Sequence, residues 1–208
     1  NILSANFAGT AANDVHNAGS LIVESGVTRF DSGYSQQGSA SSLKVNSGAS
    51  LAIAMPDMGG VTAAPGEALL ALGQPLDLGG GSLVVGESSA RSAADVSFGK
   101  NSLLVVDGAS AKNGPMLSGT GSLAVDDGSK LYIANARAGE SYTVTSGLSL
   151  SDGDYWKTAN LLAGRLIEAE ISSTDGKIMI HTEAHEAGRT LPGIIPVAAL
   201  DTMVTSNL

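Results

Sequence analysis

Gly81-Ser82-Leu83-Val84-Val85 is one copy of a phrase that recurs at Gly19-Ser20-Leu21-Ile22-Val23 and Gly121-Ser122-Leu123-Ala124-Val125, with variants at Ser42-Leu43-Lys44-Val45 and Ser102-Leu103-Leu104-Val105. The leading leucines stand at 21, 43, 83, 103 and 123, at intervals of 22, 40, 20 and 20, which is a period near twenty with one double step. Self-similarity at such a period marks stacked repeat units. In an extended chain alternate side chains point to opposite faces, so the Leu and Val of Leu-x-Val face one way, and Lys44 or Ala124 the other. Two copies are followed eight residues on by a second short strand: Leu43-Lys44-Val45 by Leu51-Ala52-Ile53, and Leu123-Ala124-Val125 by Leu131-Tyr132-Ile133. Between or after the strands stand Asn46-Ser47-Gly48, Asp107-Gly108 and Asp126-Asp127-Gly128, where Gly can take the positive φ of a corner. This pattern predicts an all-β chain folded as a right-handed parallel β-helix, a solenoid whose rungs bury their aliphatic rows by stacking. An antiparallel sandwich built from the same short strands and turns is the competing architecture.

Composition narrows the rest. The chain has 208 residues, no Cys and 4% aromatics, so disulfides, thiolate metal sites and cysteine nucleophiles are excluded and the core falls to Leu, Ile, Val and Ala. Gly supplies 27 residues, well above average usage, yet 43% hydrophobic content is too high for a disordered chain. A net charge of −9 with 15% charged residues opposes general adhesion to nucleic acid or anionic lipid. No apolar run is long enough for a transmembrane helix. The opening Asn1-Ile2-Leu3-Ser4 has neither an initiator Met nor the basic start of a signal peptide, which predicts an excised fragment whose targeting signal lies elsewhere.

The repeats are expected over residues 1–140, interrupted by an irregular excursion at 55–80. Within it, Pro65, Glu67 and Gly73 around Ala68-Leu69-Leu70-Ala71-Leu72 match a helical turn or two. After 140 the pattern changes. Tyr142-Thr143-Val144-Thr145 reads as a strand, and Leu166 to Ile171 followed by Lys177 to Glu183 across Asp175-Gly176 reads as a β-hairpin. A solenoid needs an atypical last unit to cover its bare edges, so 141–186 is assigned as a C-terminal cap. Its apolar contacts to the last rung are expected from Tyr142, Val144, Trp156, Leu166, Ile167, Ile171, Ile178 and Ile180. Residues 187–208, with extended Leu191-Pro192-Gly193-Ile194-Ile195-Pro196 and a helix start after Pro196, read as a linker.

Taken in order, the Gly-Ser-Leu-x-Val rungs with Asp-Gly corners, the Gly139-Glu140-Ser141-Tyr142-Thr143-Val144 transition, the Asp175-Gly176 hairpin and the Leu191-to-Leu208 tail resemble the C-terminal part of an autotransporter passenger of Gram-negative type V secretion. The resemblance covers nearly the whole chain. It implies a passenger stalk up to about 140, an autochaperone or junction region over roughly 141–186, and a tail leading to a covalently linked outer-membrane β-barrel translocator absent from this sequence. It places the protein at the cell surface or secreted, anchored at the outer membrane. In such proteins the passenger threads unfolded through a narrow pore, C-terminal end first, and folding outside assists its movement; the lack of Cys agrees with that route.

Chemistry is sparse. On a strand, His181, Glu183 and His185 share one face, but neighbours two residues apart stand about 6.5 to 7 Å from each other, too wide to converge on an ion without a bend, and the spacing misses the helical His-Glu-x-x-His pattern. Ser118-Gly119-Thr120-Gly121-Ser122 is corner chemistry and no nucleophile elbow, and His16 stands alone. The aspartates at 126, 127, 152, 154 and 175 lie by glycines in turn contexts. No calcium-binding nonapeptide repeats, and no dinucleotide loop is complete. The expectation is therefore a noncatalytic stalk without metal or cofactor. Two alternatives remain: an adhesin that binds a host or neighbouring bacterial cell surface through an exposed strand face or the 55–80 excursion, and a polysaccharide-active β-helix enzyme.

Overall fold

A computed structural model describes residues 9–11, 14–55, 63–87, 95–150, 155–163 and 166–185. The expected linker over 187–208, and the centre of the 55–80 excursion, lie outside the described residues. In chain order the strands are Gly9–Ala11 (β1), Val15–Asn17 (β2), Ser20–Val23 (β3), Gly26–Phe30 (β4), Tyr34–Gln36 (β5), Ser42–Val45 (β6) and Ala49–Ile53 (β7). Then follow Ala68–Leu72 (β8), Leu76–Asp77 (β9), Ser82–Val85 (β10), Val96–Phe98 (β11) and Ser102–Asp107 (β12). A single helical turn, Gly108–Ala111 (α1), precedes Leu117–Ser118 (β13), Ser122–Val125 (β14), Lys130–Ala134 (β15), Ser141–Ser146 (β16), Ser149–Leu150 (β17) and Leu161–Leu162 (β18). Ile167–Thr174 (β19) and Lys177–Ala184 (β20) end the described chain.

The protein is all-β with parallel sheets. One sheet runs β1-β4-β7-β8-β12-β15-β18, a second β17-β14-β11-β10-β6-β3, a third β19-β20-β16-β13-β9, and β2 pairs with β5. The ladders are parallel throughout except where β20 meets β16 and β19. Repeatedly the chain visits the seven-stranded sheet, then a side sheet, then the six-stranded one, as in β4, β5, β6 and again in β12, β13, β14.

In-register pairing stacks like residues on like. Across the six-stranded sheet Leu21, Leu43, Leu83, Val96, Leu123 and Leu150 are successive partners. Across the seven-stranded sheet Leu51, Leu70, Leu104 and Leu131 form one row, and Ile53, Leu72, Val106 and Ile133 the next. All eight of these are fully buried in one core. Burying each such side chain is worth roughly 1.5–3 kcal/mol.

The register explains the double step. Leu43 and Leu83 are direct neighbours, because the chain between them makes an additional strand, β7, and returns as β8 beside it in the same sheet. The six-stranded sheet gains its own additional strand when β10 is followed by β11 at its side. Leu103, read in the sequence as another copy of the phrase, belongs to a different face: it pairs with Leu69 and Lys130 in the seven-stranded sheet, while Val96 holds the place next to Leu83. Its run misleads because β12, like β8, is apolar on both sides, and a run buried on both faces carries no alternation.

The outward side of the seven-stranded sheet explains that double burial. Ala52, Leu69, Ala71, Leu103, Val105 and Ala134 form a second apolar cluster with Met55, and Ala63 and Tyr132 pack against it. Part of the excursion is thus structural. The helix expected from Pro65 is absent: Ala64-Pro65-Gly66-Glu67 is a turn closed by the Glu67 amide donating to the Ala64 carbonyl at 2.9 Å, with Gly66 at φ +77°. Pro and Gly in those two central positions specify a type II turn, and Ala68–Leu72 becomes strand β8. The Glu67 carboxylate, 5% exposed, accepts from the Ala64 amide at 2.9 Å and pairs with Lys130 Nζ at 3.1 Å, tying the turn to β15. Asp107-Gly108 is likewise no simple corner, since Asp107 caps α1 by accepting from the Ser110 amide at 3.1 Å.

Tyr34 stacks on Phe30 at 5.8 Å near the other end of the core, its hydroxyl accepting from Asn17 Nδ2 at 2.9 Å. Burial pushes the phenol up to about 12, and the Asn17 donation offsets part of the effect. The folded state therefore holds this proton more tightly than the unfolded chain, whose phenol titrates at the ordinary 10.0. The stability involved is intact below pH 10 and declines as pH rises through 12, by roughly 2–3 kcal/mol. In urea melts at pH 9, 10, 11 and 12, the wild type is expected to lose that much more than Tyr34→Phe; parallel losses in the two proteins would contradict it.

Candidate functional site

The element that differs physically from the rest is the C-terminal end, where the direction of pairing reverses. On one side β16 pairs with β13 in parallel, and on the other it takes β20 antiparallel. The parallel ladders run past residue 140, with β17 beside β14 and β18 beside β15, so the region assigned as a cap holds parallel strands as well as the antiparallel pair. The hairpin of β19 and β20 turns through Asp175 and Gly176, at φ +49° and +72°, as a two-residue loop with positive φ at both positions requires. A Cβ at Gly176 would lie 2.7 Å from the Leu148 carbonyl oxygen, so only glycine lets the hairpin tip approach so closely.

Period two in β20 sends Ile178, Ile180 and Thr182 inward. Ile178, Ile180, Tyr142 and Val144 are buried in the main core. Val144 is the additional residue of a bulge, because Thr143 pairs with Met179 but Thr145 with Ile178. Trp156 is wholly buried, 4.8 Å from Phe98 in a tilted ring contact, and Nε1 donates to Ser129 Oγ at 3.0 Å. Ser129 Oγ in turn bonds Ser102 Oγ at 2.8 Å, which satisfies a buried polar row between β12 and β15. Ile171 is half-buried and packs on the core; Ile167 is half-buried. Leu166 corrects the expectation: it is 55% exposed, in a turn before β19, so it makes no cap contact of that kind.

Polar latches also hold this end. Thr182 Oγ1 donates to the Arg137 carbonyl at 2.6 Å, and the Thr182 amide donates to Glu140 at 3.0 Å. Tyr142 Oη accepts from the Arg137 amide at 2.7 Å. The Gly139 amide donates to the Thr182 carbonyl at 2.6 Å. Thr182, Phe98 and Ser129 were missed in the sequence; only Thr182 carries a signal, as the next inward position after Ile178 and Ile180.

His181 and Glu183 point away from that core, whereas the His185 side chain is only 10% exposed and its Nε2 is buried with no hydrogen-bond partner among the described residues. His181 Nδ1 meets Ser141 Oγ at 3.1 Å and its Nε2 lies 3.6 Å from Glu183, while His185 Nδ1 turns to Glu168 Oε1 at 2.8 Å. Among the described residues, no group of three or more such side chains is placed to hold a metal ion. Beside the hairpin tip an open groove of about 610 Å³ is lined by Leu148, Leu150, Tyr155, Ser173 and Asp175. Its described walls bring together aliphatic groups, the hydroxyls of Ser149, Tyr155 and Ser173 and one carboxylate. No family model, curated protein or solved structure matches the chain.

Trp156 is the only tryptophan in the sequence and reports on this end. Its fluorescence midpoint in urea is expected to coincide with the far-UV dichroism of the sheets, and Trp156→Ala to lower stability by about 3–5 kcal/mol. A separate, earlier fluorescence transition would show that the end melts independently.

Proposed function

We propose that this chain is a right-handed parallel β-helix serving as the noncatalytic stalk of a secreted autotransporter passenger, capped by its C-terminal hairpin. Residues to about 140 form its rungs, 141–186 its cap or autochaperone-like unit, and 187–208 the tether to an outer-membrane β-barrel translocator. The proposed location is the Gram-negative cell surface. One observation carries this reading: the parallel side sheet ends on β16, and an antiparallel hairpin buries Ile178 and Ile180 against it. A growing parallel stack leaves an apolar row and a strand edge bare at its end, and a unit that covers both rewards the rows behind it with a finished neighbour. A chain that emerges C-terminal end first would find that unit at hand before the rungs. The absence of Cys suits passage through a pore, since no covalent loop can form ahead of it.

The test is display. Fused upstream of an outer-membrane barrel translocator in a Gram-negative host, the wild-type chain is expected at the surface, resistant to protease. Ile178→Asp, which places a charge in the buried row, should reduce surface display severalfold, while Leu166→Asp at an exposed position leaves it unchanged. Equal display of both variants and the wild type would refute the proposal.

A further inference from the structure

Asn113-Gly114 is the single Asn-Gly pair in the sequence. It leaves α1 on an exposed turn, where Asn113 Nδ2 donates to the Ala109 carbonyl at 2.9 Å and the Asn113 amide donates to Ser110 at 3.0 Å. Both bonds use nitrogen donors and leave the carboxamide carbon open. At Gly114 a Cβ would meet nothing within 4 Å, and among the described residues no hydrogen bond engages its amide. Exposed side chain, unshielded neighbouring amide and no Cβ in the way are what attack of a backbone nitrogen on a carboxamide requires.

We propose that Asn113-Gly114 is a self-modification site at which the folded protein converts Asn113 to aspartate and isoaspartate. The Gly114 nitrogen bonds to Asn113 Cγ, the carboxamide nitrogen departs as ammonia with the proton lost from the Gly114 amide, and a five-membered imide forms. Water then opens either carbonyl of the imide, so the reaction consumes one water, releases one ammonia and changes no oxidation state. Two other asparagines are guarded. The amide after Asn101 belongs to Ser102, which is buried in β12 and bonded to Gly99 at 3.2 Å, and the Asn17 carboxamide is held at both atoms, Nδ2 donating to Tyr34 and Ser42 and Oδ1 accepting from the Gly19 amide at 3.0 Å.

The conversion matters for the neighbouring cap. A carboxylate cannot donate to the Ala109 carbonyl, so this carbonyl of α1 loses its side-chain partner and faces a negative charge instead. That turn is anchored by Ser110 Oγ donating to the Gly73 carbonyl at 2.7 Å, and a Cβ on Gly108 would come within 3.2 Å of the Tyr142 ring. Loosening α1 therefore relaxes the packing behind β16.

The full chain, incubated folded at 37 °C in neutral and mildly alkaline buffer, is expected to gain an acidic species with the mass change of NH2 replaced by OH. Peptide mapping at acid pH should place it at residue 113, with isoaspartate detected by an isoaspartyl methyltransferase. Gly114→Ala, which the open space at that position accommodates, should slow the conversion many-fold. Asn113→Asp made directly should lower the urea midpoint. Conversion first at another asparagine, or at the same rate in Gly114→Ala, would overturn the site, and an unchanged midpoint in Asn113→Asp would overturn its link to α1.

Discussion

Everything in this molecule depends on like residues stacking on like across parallel, in-register ladders. Leu43 lies between Leu21 and Leu83, and Leu70 between Leu51 and Leu104. No strand buries its own aliphatic row; each row is covered by the next, so stability is a sum of neighbour contacts. That constraint tolerates irregular connections. One chain excursion adds β7 to the seven-stranded sheet and another adds β11 to the six-stranded sheet, and neither breaks a ladder. It does not tolerate an unfinished end, because the last row has no successor.

The hairpin answers that need with two kinds of contact. Ile178 and Ile180 extend the inward rows, and Trp156 reaches Phe98 from the other side. The hydrogen bonds of Thr182 and Tyr142 to the 137–140 turn fix the hairpin's position. Apolar burial favours many placements, whereas these bonds have direction and select one. The edge strand β19 presents Glu170 outward, a charge that discourages edge-to-edge pairing.

The repeat was legible because Leu-x-Val alternates: one face buried, the other solvated, as Lys44 demonstrates by its exposure between Leu43 and Val45. The hairpin was legible because Asp-Gly between two extended runs admits one tight turn. Tyr142, Val144, Trp156, Ile178 and Ile180 stood out as large apolar residues where the repeat ends, and all five are buried. Where both faces are apolar alternation vanishes: Ala68–Leu72 read as a helical turn, and Ser102–Val106 read as a strand but in the wrong sheet. Leu166 failed for a different reason: it stands one residue before the strand, where side-chain alternation no longer applies. The buried serines at 102 and 129 gave no signal, since a hydroxyl satisfied across two strands resembles any surface serine in sequence.

The central claim is that the antiparallel hairpin completes the parallel stack and is required for it to fold. The most direct measurement is refolding from denaturant, followed by far-UV circular dichroism, of a chain ending at His185 beside one ending at Ala163, which keeps β1 to β18 and lacks the hairpin. The account predicts that the chain ending at His185 alone regains a cooperative β-structure. Equal recovery and equal cooperativity in the shortened chain would contradict it.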